Sequence, residues 1–107
     1  MLKVGLYIGT QFPPDADVAV ALKDMREQVR LARQSGFASL WVPHHYLTHP
    51  VQLLAPVPLL SYLLRDGEGM TIGTNILIMP LLHPVHVAED AATLDLLSGG
   101  RYVLGIG

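Results

Sequence analysis

No cysteine occurs among the 107 residues, so the chain holds no disulfide, no thiolate metal ligand and no cysteine nucleophile. A long apolar run is missing too. The longest stretch without a polar side chain, Leu53 to Leu60, has eight residues and contains two prolines, too short and too broken to cross a bilayer as a helix. Nor does one charge dominate. Seven Lys and Arg stand against nine Asp and Glu, a formal net charge of −2, which supplies no basic face to neutralise a phosphate backbone. The opening Met1-Leu2-Lys3-Val4-Gly5-Leu6-Tyr7 lacks the basic region, apolar stretch and cleavage site of a secretory signal. We therefore expect a cytoplasmic protein with neither nucleic acid nor membrane as partner. Ser35, Ser39, Ser61 and Ser98 sit in no G-x-S-x-G elbow, which leaves a serine hydrolase without a nucleophile. What remains is a chain that is 50% hydrophobic and 15% charged, the composition of one globular unit able to bury a core.

The apolar residues change period along the chain. Val4, Leu6 and Ile8 alternate with Gly5, Tyr7 and Gly9, which predicts a strand over Lys3 to Gly9, stopped by Gln11-Phe12-Pro13-Pro14-Asp15. Val18, Leu22, Met25, Val29 and Ala32 then recur in steps of four and three, one stripe on a helix capped by Asp15 or Asp17 and closed by Gly36. Ser39 to Val42 predicts a second strand, Leu47 to Ala55 a loop, and Pro56 and Pro58 the entry to a helix reaching about Arg65. Met70 to Ile78 predicts a third strand, Pro84 to Ser98 a helix of about four turns closed by Gly99-Gly100, and Tyr102 to Ile106 a fourth strand.

The order β-α-β-α-β-α-β, with strands about 30 residues apart, fits parallel crossover units. It is shared by an open doubly wound sheet and by the first half of a (β/α)₈ barrel. The last strand has no helix after it to cover Val103, Leu104 and Ile106, from which we expect the N-terminal part of something longer.

In both architectures ligands sit beyond the carboxyl ends of the strands, which singles out Thr10 to Phe12, Pro43 to Tyr46 and Asn75 to Pro80. His44 and His45 close the second strand, and adjacent strand-end side chains point in opposite directions, so one can face a pocket while the other packs behind. His83 and His86 flank the start of the last helix, where a histidine more often satisfies local backbone groups. The histidines lack the spacing that converges three or four ligands, and we expect no metal site. Gly105-Ile106-Gly107 could open a dinucleotide loop, yet Gly-x-Gly alone is common by chance. Gly73-Thr74-Asn75 interrupts an apolar strand near its carboxyl end, either as small inward-facing barrel residues or as a place where a flat ligand approaches the backbone.

Several blocks together resemble the N-terminal third of the bacterial luciferase-like flavin monooxygenases. They are Gly36-Phe37-Ala38-Ser39-Leu40-Trp41-Val42-Pro43-His44-His45-Tyr46, Ile72-Gly73-Thr74-Asn75-Ile76-Leu77-Ile78-Met79-Pro80, His83-Pro84-Val85, and the run from Leu94 to Gly107. The resemblance implies an α/β fold in which residues 1–107, with about four strands and three helices, form the N-terminal part of a TIM (β/α)₈ barrel truncated at its C-terminal end. It also implies a flavin-dependent monooxygenase using reduced FMN and O2 on a small organic substrate, with a possible flavin reductase as partner and a homo-oligomer when full length. F420-dependent hydride transfer on the same fold is the alternative, as is a non-catalytic flavin-binding homologue. By resemblance His45 is the catalytic residue beside the reactive edge of the flavin, and His44 stands where many FMN-type members carry Glu and many F420-type members Asp. Asn75-Ile76 matches a non-prolyl cis peptide that presses on the ring, so Thr74, Asn75 and Ile76 are the cofactor-binding candidates, and the phosphate-binding residues fall beyond Gly107.

Overall fold

The computed structural model describes all of residues 1–107. Its elements are, in chain order, β1 (Gly5–Tyr7), β2 (Gln11–Phe12), α1 (Val18–Gln34), β3 (Ser39–Val42), β4 (Gln52–Leu53), α2 (Pro56–Leu63), β5 (Thr71–Thr74), a 3₁₀ turn (Met79–Leu81), α3 (Pro84–Ser98) and β6 (Tyr102–Val103). Of the two caps expected for α1, Asp17 serves: its Oδ1 accepts from the amides of Ala19 at 3.0 Å and Val20 at 3.2 Å. The stripe behaves as its spacing requires, with Met25, Val29 and Ala32 buried, and Gly36 leaves the helix in the left-handed region at φ 83°. Prolines open α2 and α3, where a missing N–H costs nothing, and His83 Nδ1 accepts from Val85 N at 3.3 Å, the local role expected of it.

The strands β1, β3, β5 and β6 form one parallel sheet in that order, each consecutive pair joined through α1, α2 or α3. Register places Leu6, Leu40, Ile72 and Tyr102 in one row and Tyr7, Trp41, Gly73 and Val103 in the next. Because neighbouring residues of a strand point to opposite faces, the first row, with Ile8 and Val42, turns to the helices and joins Leu59, Leu60, Leu63 and Leu94 in the core. The second row faces away from the helices, and there Tyr7 is 54% exposed and Val103 43%. The expected α/β fold with a parallel sheet and three helices is therefore present.

Two expectations need correction. The segment Leu47 to Ala55, expected as loop, contains β4, which pairs antiparallel with β2 in a second small sheet. Two-residue strands carry no periodicity to read. What builds them is long-range: Leu54 N donates to Thr10 O at 3.0 Å, and the Gln52 amide donates to the carbonyls of Pro13, at 2.9 Å, and Ala16, at 3.0 Å. The third strand, expected over Met70 to Ile78, is regular only over Thr71–Thr74, and the last strand, expected to reach Ile106, likewise leaves its ladder after Val103.

At the amino ends of the strands, Asp66 follows α2 and is 6% exposed, and its carboxylate accepts from Arg26 Nε at 2.7 Å and Arg30 Nε at 2.8 Å on α1. Burial alone would push this carboxyl up, but the hydrogen bonds and charges of the two guanidinium groups outweigh it and hold the acid below its usual range. A carboxylate depressed in the folded state stabilises the fold above its unfolded pKa, and that contribution is lost as pH falls through the folded value. Asp66→Asn is expected to lower the thermal midpoint at pH 7 and to flatten its decline below about pH 4, read from melting curves between pH 7 and 3.

Candidate functional site

The carboxyl end of β5 does not continue the ladder of its neighbour. Gly73 pairs with Val103, but the next parallel partners are Leu77 and Ile106, so β5 carries one more residue than β6 between the two pairings. That is a β-bulge, and it falls on Asn75 and Ile76. The peptide between them is cis, as the resemblance implied. Both ends of the bulge are tied down. Asn75 N donates to Val42 O at 2.8 Å on β3, and Leu77 N donates to Gly105 O at 2.8 Å. The Ile76 N–H and the Asn75 carbonyl, left between them, pair with no other protein group.

Three glycines answer to close approaches here. A side chain at Gly105 would strike the Thr74 carbonyl and one at Gly107 would meet Ile76 Cδ1, so the Gly-x-Gly after the last strand makes room for the bulge. A side chain at Gly73 would meet the Trp41 ring. The space above Gly73, one of the two readings of that glycine, is filled by this chain's own indole, which donates from Nε1 to Ser39 Oγ at 2.8 Å. Trp41 and Tyr7 line a shallow concavity with Asn75, Thr74 and Gly105. Sequence reasoning passed over both aromatic residues, although their place on the non-core side of two alternating strands was the signal that could have found them.

The four candidate residues fall in different surroundings. Asn75 and Ile76 are exposed at the bulge, Ile76 by 41%. Thr74 is buried: its hydroxyl donates to Gly105 O at 3.0 Å, accepts from Gly105 N at 3.2 Å and lies 3.5 Å from the Tyr102 hydroxyl. His45 is exposed and free of hydrogen bonds, and it lines neither the concavity of Trp41 nor the cleft that holds His44. At β1's end, Thr10 is buried, with its hydroxyl unpaired.

His44 lies on the other side of the strand end, nine-tenths buried in a cleft with Tyr46, His86 and Asp90 between the first turns of α2 and α3. Its Nδ1 accepts from Ile78 N at 3.2 Å, which fastens the chain leaving the bulge to the chain leaving β3. An acceptor Nδ1 requires the neutral ring, with its proton on Nε2. Burial, and secondarily the charge of His45, hold the His44 pKa below its ordinary value and favour that form.

One face of the sheet is open and carries aromatic surface, and the bulge on its rim offers an unpaired amide donor and carbonyl acceptor.

Comparison with known proteins agrees with this geometry. A family model described as luciferase-like monooxygenase matches residues 2–107. The alkanal monooxygenase alpha chain of Photorhabdus laumondii is 30% identical over 105 residues, covering 98% of this chain and 29% of the relative. The oxygenase component of the flavin-dependent trigonelline monooxygenase of Acinetobacter baylyi is 27% identical, again over 98% of this chain and 29% of the relative. The chain thus spans less than a third of the length of these relatives. In fold it is similar to the oxygenating constituent of 3,6-diketocamphane monooxygenase from Pseudomonas putida, solved with FMN, at a TM-score of 0.87 and 20% identity, over 100% of this chain and 29% of that one. The parallel sheet and its helices are therefore part of a (β/α)₈ barrel.

Two outcomes are expected from the site itself. Gly105→Ala forces its methyl group against the Thr74 carbonyl, and overpacking of this kind costs about 1–3 kcal/mol, measurable by denaturant unfolding. For His44 the folded pKa lies below the unfolded one, so stability is full above about pH 6.5 and falls as acid protonates the unfolded chain first. Imidazole resonances followed by NMR should give His44 a midpoint below that of an ordinary histidine, with His44→Gln reducing the loss of thermal midpoint between pH 7.5 and 5.

Proposed function

Because the chain belongs to the luciferase-like monooxygenase family, we propose that it supplies the N-terminal part of a flavin-dependent monooxygenase acting with reduced FMN and O2 on a small organic substrate. The observation that carries this reading is the bulge at Asn75-Ile76, which leaves an unpaired donor and acceptor beside the open, aromatic-bearing face of the sheet. Reduced FMN, when bound, supplies the electrons that activate oxygen. The protein's own residues do the rest. Asn75 and Ile76 would hold the ring through backbone and side chain, and Tyr7 and Trp41 would help to exclude water from the concavity.

His45 is the proposed proton donor and acceptor. An imidazole can both give and take a proton, and this one is exposed at the carboxyl end of β3 with no partner to occupy it. His44 has a different task, since its Nδ1 is already engaged with Ile78 N. We further propose a separate flavin reductase as partner, in line with a relative named as an oxygenase component, and a cytoplasmic location. We also propose that the full-length protein is a homo-oligomer.

Titration of the full-length protein with FMN and with F420, followed by difference absorption, tests the cofactor. Saturable FMN binding together with O2-dependent oxidation of substrate is expected, whereas binding of F420 alone would replace this reading by hydride transfer. His45→Ala should slow the chemical step by about 10²-fold with little change in flavin affinity, and an unaltered kcat and pH profile would remove it from the mechanism.

A further inference from the structure

Thr74 is buried one residue before the bulge, and its hydroxyl spends its whole hydrogen-bonding capacity on the next strand. In a regular parallel ladder the residue opposite position 75 would donate to the carbonyl of 74 and accept from the amide of 76. Gly105 does neither. Its N–H goes to Thr74 Oγ1 at 3.2 Å, and its carbonyl receives the Thr74 hydroxyl at 3.0 Å and the Leu77 amide at 2.8 Å. A side chain has taken over the ladder bond that the bulge removes, and it meets the far end of the bulge on the same carbonyl. Because the single hydroxyl proton is committed to Gly105 O, the Tyr102 hydroxyl 3.5 Å away is the donor of that contact. Burial, reinforced by the charge of Asp90, raises the Tyr102 pKa and keeps it a donor through the neutral range.

We propose that Thr74 is a positioning residue, whose hydroxyl clamps both ends of the Asn75-Ile76 bulge to Gly105 and so holds the unpaired Ile76 amide and Asn75 carbonyl open toward the ligand-binding face. Thr74 acts on a bound flavin through the backbone it fixes, without touching the ring. Without the hydroxyl, Gly105 N loses its partner and the bulge can slide back into the ladder by offering the Ile76 amide to Gly105 O in place of Leu77. That slide restores only the acceptor half of the ladder, leaves the Gly105 amide unpaired, and consumes the group the ligand needs. Competition between ladder and ligand for the Ile76 amide is thus decided by one side chain. The inference rests on the flavin reading for the identity of the ligand, and on this chain's hydrogen bonds alone for the clamp.

The test uses Thr74→Val, which keeps the β-branched shape, and Thr74→Ser, which keeps the hydroxyl, in the full-length protein. In the absence of flavin, hydrogen exchange of the Gly105 amide is expected to be about tenfold faster in Thr74→Val, the equivalent of one lost hydrogen bond, and close to the parent in Thr74→Ser. FMN affinity should fall by about tenfold in Thr74→Val, the induced circular dichroism of bound FMN should change, and Thr74→Ser should restore both. A merely structural role would lower the thermal midpoint without altering that spectral signature. If Thr74→Val does not fold, Tyr102→Phe removes only the third partner of the same hydroxyl and is expected to move exchange and affinity in the same direction by a smaller factor. Unchanged exchange at Gly105, or faster exchange with unchanged FMN affinity, overturns the proposal. Failure of the parent protein to bind FMN overturns the flavin reading instead, and exchange at Gly105 then decides the clamp separately.

Discussion

One apolar layer holds this structure together. Leu40, Val42 and Ile72 lie in the middle of the parallel sheet with no exposed surface, pressed under Val29 of α1, Leu60 and Leu63 of α2 and Leu94 of α3. Parallel strands depend on such a cover, because their crossover connections place the helices on a face that must be apolar to receive them. The same burial sorts every residue on the strands. Those in register with Leu40 are committed to packing, and those one step away, Tyr7, Trp41, Gly73 and Val103, are left to the other face. A ligand site on that second face costs the core little, since Thr74 alone is both in register with Val42 and part of the concavity.

The two ends of the sheet divide the remaining work. At the amino end, Arg26 and Arg30 reach from α1 to the buried Asp66 and fix the turn that delivers the chain into β5. At the carboxyl end the polar contacts are irregular: a threonine hydroxyl stands in for a ladder bond, a histidine ring accepts a backbone amide, and glycines clear the path of an extra residue. Stability at one end and departures from regularity at the other is the pattern of folds whose strands carry ligands at their carboxyl ends. The irregularity is local and firmly supported, because Val42 and Gly105 hold the bulge from both neighbouring strands.

His44 and His45 show how one strand end separates two roles. Adjacent in sequence, they leave β3 on opposite sides, one drawn into the helix layer and kept neutral by burial, the other left exposed. The neutral ring of His44 helps hold the segment after the bulge, so that both sides of the bulge are secured by side chains that need not meet the ligand themselves.

The sequence alone determined the helices, the four main strands and their parallel order, because these depend on periodicity, caps and glycine stops read within a few residues of one another. Asp17, Pro56, His83 and Gly99 act where their neighbours in the chain require. The cis peptide and the place of the bulge were implied by resemblance, and the local signal in Gly73-Thr74-Asn75 marks only an interruption of an apolar strand. Only the tertiary structure decided that β2 and β4 pair, that Trp41 fills the space above Gly73, that Gly105 and Gly107 yield to Thr74 and Ile76, and that the Thr74 hydroxyl belongs to the neighbouring strand. Each of these joins residues at least 28 positions apart, and a contact over that distance is set by how the strands lie side by side, which no window of sequence contains.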